Sequence, residues 1–148
     1  MNAEDSKIKK FFGTEESFVT YLRTHLGDLA HELAIQEPRV VTHDLPYNGV
    51  AADLVVQDAQ NKIYAIEVQK CHANMDHAKA LTYGLLYDAD AVVWIAEECT
   101  DYVMEAMKRF VDYGREDARL SRVTLLVVDV ISPSEFRLKR AYDKRREQ

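Results

Sequence analysis

The sequence predicts an α/β protein, a three-layer α/β/α arrangement around a mixed central sheet. Three observations carry this expectation. Short apolar or β-branched runs follow one another at 39–42, 52–56 and 65–70, with turn residues between them, so three strands can form an antiparallel meander. Near-continuous apolar runs at 91–96 and 123–130 have the pattern of strands buried on both faces. Segments of helical periodicity stand before the first strands and between the later ones, so the later strands can join in parallel, with helices on both sides of the sheet.

Each element has a local reason. Thr14 can cap a helix after Gly13, with Glu15 and Glu16 in its first turn, where the helix dipole favours acids. Phe18, Leu22, Leu26, Leu29 and Leu33 then repeat as one apolar stripe, and Pro38 ends the region. Pro46, Asn48 and Gly49 mark a turn. The runs Ala52–Val56 and Ala65–Lys70 are joined through Asp58-Ala59-Gln60-Asn61, a polar linker suited to a hairpin. Asn74 can cap a second helix carrying Ala78, Leu81 and Leu85. Thr100 can cap a third, with Val103, Met107, Phe110 and Val111 inside and Gly114 near its end. From Pro133 a short, solvated helix is expected.

The chain of 148 residues favours one domain with a sizeable core, here 1–148. A net charge of −6 argues against a broadly basic nucleic-acid binder. The charge is uneven, however. From Pro133 onward six basic residues face three acids, leaving −9 on the remainder, so a basic extension over 133–148 could touch phosphates locally. No apolar run is long enough to span a bilayer, and the N-terminus lacks the pattern of a secretory signal. Cys71 and Cys99 show no CxxC spacing, which fits a reducing cytoplasm.

The chemistry concentrates on the predicted hairpin. Alternate residues of a strand share a face, so Glu67 and Gln69 point the same way, and the hairpin can bring Asp53 beside them. Two acids and an amide oxygen at one point make a plausible Mg²⁺ site, because hard cations take oxygen ligands. Each residue also has a plain structural alternative. Asp53 can be a solvated strand-end acid, Gln69 can satisfy backbone groups, Glu15 can serve the helix dipole, and Lys79 can face solvent. Glu67 is the exception, since a glutamate flanked by apolar strand residues is rarely buried without a partner. Cys71, His72, Asp76 and His77 match no zinc spacing. Trp94, Tyr83 and Tyr87 are most simply packing residues.

The element order, the acids Asp53 and Glu67, and the stretch running Glu67-Val68-Gln69, Asp76-His77, Thr82-Tyr83-Gly84 and Val92-Val93-Trp94-Ile95-Ala96 resemble the PD-(D/E)xK nuclease superfamily. Within it, the chain is similar to a bacterial group carrying an Asp…Glu-x-Gln motif, over roughly residues 14–130. The resemblance implies a restriction-endonuclease-like core of helix, three strands, helix, strand, helix and strand. It implies a metal-dependent DNA endonuclease of repair, restriction or defence, with DNA as partner and a homodimer as one arrangement. Asp53 and Glu67 would hold Mg²⁺ or Mn²⁺ with the Val68 carbonyl, and Glu15 would add a further contact. Gln69 stands where the family usually has lysine. It would orient the attacking water, with Lys79 as the stand-in cation. The alternative is an inactive nuclease-fold protein that binds nucleic acid or a partner protein.

Overall fold

The computed structural model describes residues 3–41, 52–73, 89–105 and 120–145. A short 3-10 turn, Ala3–Asp5, leads into α1 (Lys7–Phe12), α2 (Glu15–Arg23) and α3 (Gly27–Leu33). Among the described residues six strands follow: β1 (Arg39–Val40), β2 (Leu54–Gln57), β3 (Ile63–His72), β4 (Ala91–Glu98), β5 (Arg122–Ser132) and β6 (Glu135–Arg145). They form one sheet in sequence order. The β1–β2, β2–β3 and β5–β6 pairs are antiparallel, whereas β3–β4 and β4–β5 are parallel. The protein is therefore mixed α/β, with the expected meander and the expected parallel continuation.

Alternation along the strands divides the core between the two faces of the sheet. Leu54, Val56, Tyr64, Ile66, Val68, Val93 and Ile95 pack against Ile8, Phe18, Leu22, Leu29 and Leu33 of the three helices. Trp94, Val92, Ala96 and Leu125 line the other face with Val103, which belongs to a helical stretch over residues 101–105. Thr100 caps that stretch as expected, accepting from the Val103 N–H at 3.4 Å. Thr14 likewise caps α2, its hydroxyl accepting from the Ser17 N–H at 3.1 Å.

Three expectations change. The stripe from Phe18 to Leu33 is continuous, but the helix under it is not. Thr24 Oγ1 and His25 Nδ1 both bond the Tyr21 carbonyl, so side chains compete for the backbone acceptors that a continuing helix needs. The chain tightens there, with Thr24 N–H bonding Tyr21 and His25 N–H bonding Leu22, and restarts at Gly27. Second, α1 has no counterpart among the expected elements. Ser6 caps it and Ile8 is fully buried. Third, the tail after Pro133 is not a short helix. Ser132 pairs with Glu135 across a tight Pro133-Ser134 turn, and β6 runs back along β5. Phe136 and Leu138 enter the core while Arg137 and Lys139 face out.

The turn at Pro46-Asn48-Gly49 and the helix expected from Asn74 lie outside the described residues, as does the third helix beyond residue 105. With them go Asp76, His77, Lys79, Thr82-Tyr83-Gly84 and Tyr87. Among the described residues, no helix is long and apolar enough to cross a membrane.

Candidate functional site

The β2–β3 register is Leu54 to Ile66 and Val56 to Tyr64. One step outward it sets Asp53 opposite Glu67, so two acids fourteen positions apart in sequence meet at the hairpin's open end. Both lie on the sheet face away from α1–α3, since Leu54, Ile66 and Val68 face those helices. The two carboxyl groups are within hydrogen-bonding reach of each other.

Backbone direction completes the arrangement. Successive residues of a strand turn their N–H and C=O groups to opposite edges. Tyr64 and Ile66 bond toward β2, so Val68 and Lys70 present theirs on the same side, where β2 has already ended. Acid side chains take over there. Asp53 Oδ2 accepts from the Val68 N–H at 2.8 Å, and Glu15 Oε1, from the first turn of α2, accepts from the Lys70 N–H at 3.0 Å. The Val68 carbonyl opens onto the same edge, beside Asp53.

Burial pushes the Asp53 carboxyl above its ordinary value of 3.8, and the charge of Glu15 pushes the same way. The Val68 N–H, the Glu67 carboxyl and the Arg23 guanidinium act against the rise without cancelling it. A part-buried carboxyl that is costly to ionise, with a second carboxyl beside it, favours a proton or a cation at that point. On chemistry, Asp53, Glu67 and the Val68 carbonyl fit a hard divalent ion as an all-oxygen set. Among the described residues, no group of three or more His, Cys, Asp and Glu side chains is assembled to hold a metal. Glu15 therefore stands beside the pair as a charge and a backbone acceptor.

Gln69 shares the face of Glu67, as alternation requires, but it is buried, and its Oε1 accepts from the Trp94 indole N–H at 3.2 Å. Its acceptor is committed inside the sheet. Trp94 is fully buried and is a packing residue. Lys79, the expected stand-in cation, lies outside the described residues.

Two residues were not foreseen. Arg23, in the last turn of α2, donates from Nη2 to the Asp53 carbonyl at 3.1 Å. Glu97, 8% exposed at the end of β4, accepts from Ser6 Oγ at 2.5 Å, from the Lys7 N–H at 2.8 Å and from the Cys71 N–H at 3.0 Å. It ties the start of α1 to an irregularity in β3 where Cys71 takes φ 64°, a conformation uncommon outside glycine. That bend lies next to Lys70, whose N–H Glu15 engages. An acid closing the apolar run Ala91–Ala96 was the one available signal for Glu97.

Two cavities, of about 250 and 340 Å³, lie elsewhere, where β3, β4 and β5 begin. Both are lined by Gln60, Tyr64, Arg122 and Arg145, and neither includes Asp53 or Glu67. Compared with known proteins, the chain matches no family model, no curated protein and no solved structure.

Proposed function

We propose that the protein is a divalent-cation-dependent DNA endonuclease built on a restriction-endonuclease-like core of the PD-(D/E)xK kind. The observation that carries this reading is the Asp53–Glu67 pair. The hairpin register brings the two carboxylates together at the edge where β2 stops, and the Asp53 carboxyl is held above its ordinary range. Asp53 and Glu67 bind Mg²⁺ or Mn²⁺ with the Val68 carbonyl. Glu15 fixes the Lys70 backbone and adds negative charge beside them. When bound, the cation supplies a Lewis acid that offsets phosphate charge and acidifies water. Gln69, whose oxygen already accepts from Trp94, can hold a water through its amide but, not being a base, cannot take its proton. Cys71 and Cys99 form no disulfide with each other, which suits a reducing cytoplasm.

The test is incubation of plasmid and single-stranded DNA with Mg²⁺ or Mn²⁺. Slow cleavage is expected, and it should vanish in Asp53→Ala. Calorimetry with Mn²⁺ should show binding that Glu67→Ala removes; equal binding by the two proteins sinks the metal site. One observation favours a second reading, a non-catalytic protein of the same fold that binds nucleic acid: the Gln69 amide serves the core through Trp94. DNA binding without cleavage under either metal would select that reading, since a fold does not fix an activity.

A further inference from the structure

The Asp53 and Glu67 carboxylates meet at the β2–β3 edge, and Glu15 beside them adds a further negative charge. A DNA phosphate approaching them meets repulsion that one divalent ion only partly offsets, so the edge needs a fixed positive charge. The polar residue that shares the face of Glu67 is Gln69, which is neutral and buried. Lys70 follows it, but strand alternation turns that side chain away from Glu67.

Arg23 is exposed and anchored at this edge. Its Nη2 donates to the Asp53 carbonyl at 3.1 Å, so the guanidinium is tied to the backbone of the first acid rather than sweeping freely through solvent. Among the described residues its guanidinium makes this one hydrogen bond. A guanidinium has five N–H donors in a planar fork that matches a phosphate. The Asp53 carboxylate feels Arg23 as an attractive charge, which puts the cation within range of that acid.

Resting on the nuclease reading, we propose that Arg23 is a phosphate-contacting residue: anchored on the Asp53 carbonyl, it grips the DNA backbone beside the acid pair and supplies the positive charge that Gln69 lacks. Its place at the end of α2 makes the helix a brace with two functions, Glu15 at its start holding the β3 edge and Arg23 at its end meeting the substrate.

The test uses the full chain and a short labelled duplex in Ca²⁺, with affinity read by fluorescence anisotropy between about 50 and 200 mM salt. Arg23→Gln should weaken binding about tenfold and flatten the salt slope by about 1. Arg23→Lys should keep the slope, because it keeps the charge. Mn²⁺ affinity, read by calorimetry, should hold or tighten in Arg23→Gln, since a cation has left the neighbourhood of the acids. An unchanged salt slope in Arg23→Gln, with Glu67-dependent Mn²⁺ binding intact in the wild type, overturns the role of Arg23 and leaves the nuclease reading standing. Loss of Mn²⁺ binding in Arg23→Gln also overturns it, because Arg23 would then act only by holding Asp53. A wild type that shows neither Glu67-dependent Mn²⁺ binding nor affinity for the duplex overturns both.

Discussion

Asp143 on the edge strand β6 and Asp53 at the mouth of the β2–β3 hairpin are both shielded carboxylates with charged neighbours, and their environments treat them oppositely. Burial alone would raise the Asp143 carboxyl. The bonds from Arg122 and Thr124, with the charges of Arg122 and Arg145, outweigh it and bring the group below 3.8. Arg122 Nε lies 2.9 Å from Asp143 Oδ1, and Thr124 Oγ1 lies 2.8 Å from the same oxygen. Arg122 is itself 7% exposed and also donates to the Leu33 carbonyl at 2.7 Å, so this cluster pins α3 to the sheet. At Asp53 the burial effect prevails, with a second acid adding to it. One end of the fold satisfies its charges within the chain and serves stability. The other keeps acids together at a cost, which is the pattern of a site awaiting a positive partner.

That contrast can be broken or sharpened by substitution. The largest effect belongs to Asp143→Ala, which leaves the buried Arg122 guanidinium without its carboxylate. It should cost about 3 kcal/mol at pH 7, read from urea unfolding with an unchanged m-value. The pH dependence has a definite sign. A carboxyl with a depressed folded pKa stabilises above its unfolded value and loses that contribution as pH falls through the folded one. The gap between wild type and Asp143→Ala should therefore narrow as pH drops below 3.8.

Glu97→Gln comes next. Its carboxylate accepts three bonds at 3.0 Å or less, and an amide NH₂ in place of one oxygen faces donors with a donor. A loss of about 2 kcal/mol is expected, with α1 freed first and detected as faster amide exchange at residues 7–12. Asp53→Asn should move the other way. It keeps an acceptor for the Val68 N–H and removes a charge that is costly where it stands. A gain of about 0.5 kcal/mol at pH 7 is expected, together with loss of Mn²⁺ binding. A raised folded pKa means the cost of ionisation is present at neutral pH and absent below 3.8, so the gain should disappear in acid. A clear loss of stability in Asp53→Asn at pH 7 would place Asp53 with Asp143 as a structural acid.

The strands and the Asp53 side of this contrast were legible in the sequence for local reasons, whereas the Asp143 cluster, on a tail read as a helix, was not. Apolar runs at 52–56, 65–70, 91–96 and 123–130 are strands because little else buries such runs. The Asp53–Glu67 meeting follows from a short polar turn and a period of two. Thr14 and Thr100 were readable as caps because capping is decided within three residues. What was not legible depends on distant partners or competing local chemistry. The break at Thr24–Leu26 hides under an unbroken apolar stripe. The strand at β6 was masked by its charge, although Phe136-Arg137-Leu138-Lys139 alternates and a Ser-Pro-Ser turn precedes it. Arg23 and Glu97 act on chain segments 26 or more residues away, so no window along the sequence could assign them.

The two rims of the sheet carry a further consequence. A strand with an unpaired side is a template on which another chain can add, and long flat rims seed aggregates. Among the described residues, β1 is short, Arg39–Val40. β6 is long, but its exposed positions include Arg137, Lys139 and Arg140. Leu125 and Leu126 pair with Tyr142 and Arg140, so Ala141 is an extra residue that bends the strand. A second copy adding along β6 would set like charges against each other across a kinked rim. Among the described residues, both rims of the sheet are thus poor templates for edge-on growth.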